Sequence, residues 1–188
     1  MELPEGLYPA RAKLSTKLTE LEKVFAGLEE YRAKAERARL SEDRALEDSA
    51  SSEADIAAAV GTAQIEKSVY QSRIRNREKM LGVISGELAA SINEAARELR
   101  VLVGREVSRR EEILTKRVCE AIQAIDRAGL KPTIQNLLDH SRTIEQVRIL
   151  SPSPLQATAG DQDSLVMAAK DVLAKFEQVI AEAGKKSI

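Results

Sequence analysis

The sequence predicts an all-α protein: an elongated antiparallel helical hairpin or coiled-coil rod, built on one long central helix (about residues 53–128), with two shorter C-terminal helices. Two repeats support this prediction. An apolar residue recurs at every eleventh position through the central segment, and leucine recurs at every seventh position before it. The 188 residues include no Trp, two Phe and three Tyr. Aliphatic side chains must therefore seal the core, as they do between paired helices.

The eleven-residue repeat defines the central helix. Its members are Ala59, Tyr70, Leu81, Ile92, Val103, Leu114 and Ile125, and a companion row that includes Ile74 begins four residues later at Ala63. Eleven residues fill three turns at about 3.67 residues per turn, close to the natural helix period. The repeat therefore keeps one face of a long helix apolar.

Sequence signals mark both ends of this helix. Ser52, followed three residues later by Asp55, is typical of a capping box, and Gly129 with Pro132 shortly after it is a stop signal. Inside the helix, Gly82 and Gly86 favour either close approach of a neighbouring helix or a kink near residues 82–86.

The leucine repeat predicts a first helix over residues 9–47, with Pro9 in its first turn. Its apolar positions are Leu14, Leu18, Leu21, Phe25 and Leu28. This 4-3 spacing is typical of coiled-coil packing. Because only a few residues separate the two helices, we expect the first to fold back antiparallel on the second.

Two further helices are predicted, over residues 133–149 and 164–183, with a loop rich in proline and small residues over 151–163. Asp163 is the predicted cap of the last helix. We expect the two helices to cover the second half of the central helix, and we treat residues 1–188 as a single elongated helical domain.

The sequence lacks the constellations that enzymes use. His140 is the only histidine, and its neighbours on a helix point about 100° away from it, so they do not converge on it as a catalytic triad. One histidine and one cysteine cannot form a zinc cluster. We predict no catalytic residues, no metal and no cofactor, and we interpret Cys119 as a small buried side chain beside the apolar stripe.

Charge is balanced, with 29 basic and 30 acidic residues. The one local basic run has a spacing of two, so its side chains alternate between two flanks of the central helix, and a second basic group follows later. The possible anion contacts are Arg73, Arg75, Arg77, Lys79, Arg109 and Arg110. Basic residues of the region around 105–117 alternate with glutamates, which is typical of solvated or ion-paired helix faces. Nucleic-acid binding is therefore only weakly supported.

The leading functional hypothesis is a non-enzymatic structural, scaffolding or adaptor protein that self-associates and engages an unidentified protein partner through helix faces. The predicted seam is listed as Leu14, Leu18, Leu21, Phe25, Leu28, Tyr70, Ile74, Leu81, Ile92, Val103, Leu114 and Ile125. Additional apolar residues off this seam, among them Ile65, Val69, Val83, Leu102 and Ile113, favour a homo-oligomer.

Two alternatives remain open: a nucleic-acid-associated protein that uses the Arg73–Lys79 and Arg105–Arg117 flanks, and a secreted or membrane-engaging helical effector. The N-terminal residues lack the pattern of a signal peptide, no stretch is apolar enough for a transmembrane helix, and there is a single cysteine. We therefore expect a cytoplasmic location.

Overall fold

The computed structural model contains four α-helices: α1 (Leu7–Glu47), α2 (Glu53–Ala128), α3 (Leu130–Arg148) and α4 (Gln162–Gly184). It describes residues 7–48, 51–128, 130–152, 157 and 161–184, without the side chains of 124–133. No strand occurs in these ranges. The predicted all-α class, with one long helix and two shorter C-terminal helices, is confirmed. The structure divides into two compact units, unit 1 (Met1–Thr16 and Ala89–Ile188) and unit 2 (Lys17–Leu88).

Unit 2 is an antiparallel pair formed by α1 and α2. Three ion pairs show the antiparallel arrangement, because their residue numbers rise along α1 and fall along α2: Lys17 with Glu87, Arg32 with Glu78, and Glu42 with Lys67. Between them, Leu18, Leu21, Val24 and Leu28 of α1 and Ala63, Leu81 and Leu88 of α2 are buried. The leucine positions of the α1 heptad in this unit are therefore buried within the single chain.

The short connection between these helices ends in the predicted cap. The Asp55 amide donates to Ser52 Oγ at 3.3 Å, and the Ser52 hydroxyl donates to Asp55 Oδ2 at 2.5 Å. The serine oxygen satisfies one of the free amides of the first helical turn, as a capping residue does. The Ser52 cap is confirmed.

α2 is helical without interruption through Gly82 and Gly86. A Cβ atom built at either glycine would meet nothing within 4 Å, and both residues are exposed. Neither glycine lies against another helix of the described chain, so the prediction of close intramolecular approach is wrong. Gly27 of α1 is different, because a Cβ there would lie 3.4 Å from Arg77 Cζ.

We expect Gly82→Ala and Gly86→Ala each to raise the free energy of unfolding by about 0.8 to 1 kcal/mol, since alanine loses less backbone entropy in a helix and has open space here. Urea denaturation followed by far-UV circular dichroism measures the change. Gly27→Ala is the matched comparison, because its methyl group lies at van der Waals distance from the Arg77 side chain instead of in open space. A loss of stability in Gly82→Ala would contradict the open environment.

Two helices begin earlier than predicted. α1 begins at Leu7 and α3 at Leu130, so Pro9 and Pro132 are each the third residue of a helix. Backbone amides of the first turn have no acceptor within the helix, so a proline there removes no hydrogen bond. The glycine-proline signal correctly ends α2 at Ala128, but the next helix already starts before the proline.

Unit 1 combines α3, α4, the second part of α2 and the first turns of α1. Leu165, Ala169, Val172, Phe176 and Val179 form the buried face of α4. Lys13 pairs with Glu94 at 2.6 Å, and Arg11 pairs with Glu177. Asn93 exchanges two hydrogen bonds with the backbone of Ala157, at 3.3 and 3.2 Å, which holds this point of the α3–α4 connection against α2.

Two residues of unit 1 differ from their predictions. The cap of α4 is Asp161 rather than Asp163, because Asp161 Oδ1 accepts from the Asp163 amide at 3.2 Å and its other oxygen accepts from the Ser164 hydroxyl. These hydrogen bonds lower the pKa of Asp161, and the bond from the Ser164 hydroxyl has the largest effect.

Cys119 is exposed rather than buried, since one step along the helix from Val118 turns a side chain by about 100°.

Candidate interaction surfaces

Most of the predicted seam is interior to the single chain. Leu14, Leu18, Leu21, Leu28, Leu81, Ile92 and Val103 are buried, and Phe25, Tyr70, Ile74 and Leu114 are half-buried. The side chain of Ile125 lies outside the described residues. Side chains that the chain already covers offer no surface to another molecule, so a candidate interface must lie elsewhere.

An exposed apolar row lies on α2 within unit 2. It consists of Ile65, Val69, Met80 and Val83, whose exposed fractions are 68%, 43%, 47% and 63%. At about 100° per residue, all four side chains fall within roughly 60° of one another around the helix. We call them the α2 outer row. The sequence identified three of the four, and missed Met80. Leu102, which the sequence grouped with them, is buried in unit 1.

The first basic run, Arg73 to Lys79, has different surroundings on its two flanks. The guanidinium carbons of Arg73 and Arg77 lie 5.5 and 6.0 Å from the centre of the Tyr31 ring, within reach of a cation–π interaction. Lys34 Nζ lies 5.9 Å from the same ring, which stacks on Tyr70 with the ring centres 6.4 Å apart. This side of the run is therefore engaged with α1.

Arg75 and Lys79 project from the other flank. Both are exposed, and neither pairs with any acidic side chain of the described residues. On the helical wheel, the exposed Gly82 and Gly86 lie on the same flank. The α2 outer row is thus bordered by free positive charge and by two positions without side chains.

A second candidate surface is a pocket of about 280 Å³ within unit 1, which we call the arginine pocket. Its lining comes from α2 (Arg109, Arg110, Ile113, Arg117), α3 (His140, Thr143, Ile144) and α4 (Glu182). Arg109 and Arg110 are thereby joined to Arg117, which ends the predicted Arg105–Arg117 flank, and to His140, which the sequence did not assign to an anion site. The seven-residue spacing of Arg110 and Arg117 places them on one face of α2, but no local signal indicates that His140, 23 residues after Arg117, joins them.

A buried carboxylate organises two of these arginines. Glu106 is 5% exposed, and Glu106 Oε1 accepts from Arg110 Nε at 2.8 Å and from Arg109 Nη2 at 3.0 Å. Its Oε2 accepts from Arg109 Nε at 3.0 Å. The side chain of Arg110 is only 10% exposed. Of the solvated or ion-paired face that the sequence predicts, this part is ion-paired, and in it Glu106 is buried and Arg110 largely buried.

Arg110 is held at three points. Besides Glu106, it donates from Nη1 to the Thr143 carbonyl at 2.8 Å, and its Nη2 lies 3.8 Å from Glu182 Oε1. That Nη2 atom is buried and has no acceptor within hydrogen-bond distance. The guanidinium is therefore fixed, with one donor group left over.

Arg117 and His140 face each other across the pocket, with Arg117 Nη1 lying 3.4 Å from His140 Nδ1. Arginine can only donate, so this contact requires Nδ1 to accept and places the proton of a neutral imidazole on Nε2. Arg117 makes no ion pair with any side chain that the structure describes.

Within the described ranges, no three His, Cys, Asp or Glu side chains are grouped as metal ligands would be. None of the helices, over the part of the chain that the structure describes, carries an apolar stretch long enough to cross a membrane. Neither a family model, nor a curated protein, nor a solved structure matches this chain.

Proposed function

We propose that this protein is a non-enzymatic helical scaffold or adaptor that self-associates through the α2 outer row. The observation that carries the proposal is the set of four exposed apolar side chains, Ile65, Val69, Met80 and Val83, within one narrow arc of α2. Isolated exposed apolar residues are normal on a protein surface, whereas an aligned group marks an interaction site.

The strength of this association depends on how much free energy the four apolar side chains contribute when they are buried. Fully burying one such side chain contributes about 1.5 to 3 kcal/mol, and these side chains are about half exposed, so the row supplies roughly 3 to 6 kcal/mol per copy. Association costs on the order of 4 to 15 kcal/mol in lost rigid-body freedom. The row therefore supports a weak, concentration-dependent complex, which a single inserted charge abolishes.

The flanking charges set the salt dependence. Arg73, Arg75 and Lys79 border the row, so two copies joined through it bring like charges together. Salt screens that repulsion while the apolar contact persists, so self-association should strengthen as ionic strength rises. Gly82 and Gly86 beside the row leave room for a second helix to approach.

The second candidate function is nucleic-acid association through Arg75 and Lys79, favoured by their exposure and lack of acidic partners in the described chain. Its salt dependence has the opposite sign, because phosphate binding releases counterions and weakens as salt is added. No aromatic side chain on that flank is available for stacking on bases. We therefore favour self-association.

Light scattering coupled to gel filtration, over a range of protein and salt concentrations, tests the proposal. We expect the wild-type mass to rise above that of one chain with both protein and salt concentration. Ile65→Lys combined with Val83→Lys should keep the mass at one chain, since lysine is a good helix former but resists burial. Met167→Lys, at a 72% exposed position of α4, is the matched control and should associate like wild type.

A wild-type mass of one chain under all conditions contradicts the proposal, as does unchanged association in the double variant. The same samples are then titrated with fluorescent duplex DNA at low salt. Binding that disappears in Arg75→Gln combined with Lys79→Gln, in a protein that remains a single chain, would replace self-association by the second candidate.

A further inference from the structure

We propose that the arginine pocket of unit 1 binds a phosphomonoester, an organic group that carries a terminal phosphate. The proposal is independent of self-association, which concerns unit 2. It rests on three features of the pocket: its charge, its unused donors, and its combination of polar and apolar walls.

The charge balance of the pocket favours an anion. Arg109, Arg110 and Arg117 supply three guanidinium groups, against the carboxylates of Glu106 and Glu182. The three guanidinium groups exceed the two carboxylates by one positive charge. It resides chiefly at Arg117, whose nearest polar partner is an imidazole nitrogen rather than a carboxylate. The more buried cation, Arg110, already has Glu106.

The unused donors suit phosphate in particular. Arg110 is immobilised by Glu106 and the Thr143 carbonyl, yet its buried Nη2 has no acceptor. Arg117 has donors beyond the one that faces His140. Guanidinium groups bind phosphate oxygens through paired, charge-assisted hydrogen bonds, and an arginine held in place loses little further freedom when it does so. A phosphate has enough acceptor oxygens to accept hydrogen bonds from more than one arginine of the lining.

The walls indicate what accompanies the phosphate. Ile113 and Ile144 line the pocket beside the arginines, and the volume of about 280 Å³ is several times the roughly 30 Å³ share of one water molecule. Room therefore remains for an organic group against the isoleucines. The lining contains no Phe, Tyr or Trp side chain for stacking on a base, so the pocket is poorly suited to nucleic acid.

A phosphomonoester reaches the pocket either as a free small molecule or as a phosphorylated side chain of another protein. Isothermal titration calorimetry with O-phosphoserine, and with a short phosphoserine peptide blocked at both ends, separates these sources. Inorganic phosphate is the third probe. We expect both esters to bind more tightly than inorganic phosphate, because only they contact the isoleucines. A tighter peptide indicates a phosphorylated partner, and a tighter free amino acid indicates a small molecule.

Variants connect the binding to the pocket. Arg117→Gln should weaken binding of the tighter ester roughly tenfold or more, the effect of losing charge-assisted hydrogen bonds, and Arg117→Lys should restore part of it. Arg75→Gln, an exposed arginine of α2 in unit 2, should leave it unchanged. Because Arg117 is itself exposed and makes no ion pair with the described residues, the variants should retain the wild-type circular dichroism spectrum.

Two results overturn the proposal. One is the absence of binding heat with both esters for a folded wild-type protein. The other is equal weakening by Arg117→Gln and Arg75→Gln, which would mean that the protein attracts anions by general charge rather than in this pocket.

Discussion

Replacing Phe176 by alanine is expected to lower the free energy of unfolding by about 3 to 5 kcal/mol, the usual cost of emptying a fully buried phenyl site. Phe176 is 0% exposed, and the chain has only two Phe and no Trp with which to fill its interior. The residues around it on α4 are aliphatic or small, among them Ala169, Val172 and Val179. Urea denaturation followed by far-UV circular dichroism measures the loss.

The matched control is Met167→Ala on the same helix, at a position that is 72% exposed. Surface substitutions of this kind change stability by about 0.5 kcal/mol or less. Phe176→Leu should lie between the two, since it retains part of the buried volume. Equal effects of Phe176→Ala and Met167→Ala would mean that this face of α4 is not packed as described.

The second large effect is expected from Glu106→Gln. Removing the carboxylate leaves the buried Arg110 without its closest charge partner, since Glu182 Oε1 is 3.8 Å from Nη2, and breaking a buried pair from one side costs about 3 to 5 kcal/mol. Arg109 loses the same carboxylate but is more than half exposed, so water compensates it. Thermal and urea denaturation of the variant measure the cost.

Two comparisons isolate the cause. Glu111→Gln removes the carboxylate of an exposed pair with Arg148, 3.0 Å apart, and should cost at most about 1 kcal/mol. Glu106→Met combined with Arg110→Met removes both buried charges and should be clearly more stable than Glu106→Gln alone. A double variant as unstable as the single variant would show that the loss comes from packing rather than from the unpaired cation.

Much of the fold follows from sequence because helix signals are local. The eleven-residue repeat and the Ser52 cap predict α2, and the leucine heptad predicts α1. The errors are local too. The sequence signals place Pro9 at the beginning of α1 and Pro132 between α2 and α3, whereas each is the third residue of a helix, because a first turn tolerates proline. The prediction of Asp163 as the cap of α4 is wrong by two residues, because Asp161 carries the same side chain and accepts from the first turn instead.

The candidate sites are harder to predict from sequence than the helices are. The sequence predicts Arg109 and Arg110 as possible anion contacts and Arg117 as part of the same flank, but the grouping with His140 depends on how α3 packs on α2. Alternating charges of the region around Glu106 indicate ion pairs, yet the pattern is the same whether the pairs are solvated or buried. The engagement of Arg73 and Arg77 by Tyr31 likewise depends on the register of α1 against α2, which no local signal fixes.

The distribution of aromatic rings and of the single thiol makes the two units spectroscopically distinguishable. Tyr31 and Tyr70 stack in unit 2, whereas the remaining tyrosine, Tyr8, is half exposed and belongs to unit 1. With no tryptophan in the chain, near-ultraviolet circular dichroism of tyrosine chiefly monitors unit 2. The exposed Cys119 accepts a single fluorescent label in unit 1. One unmodified sequence therefore carries separate intrinsic and attachable reporters, so the melting of each unit can be followed in the same sample.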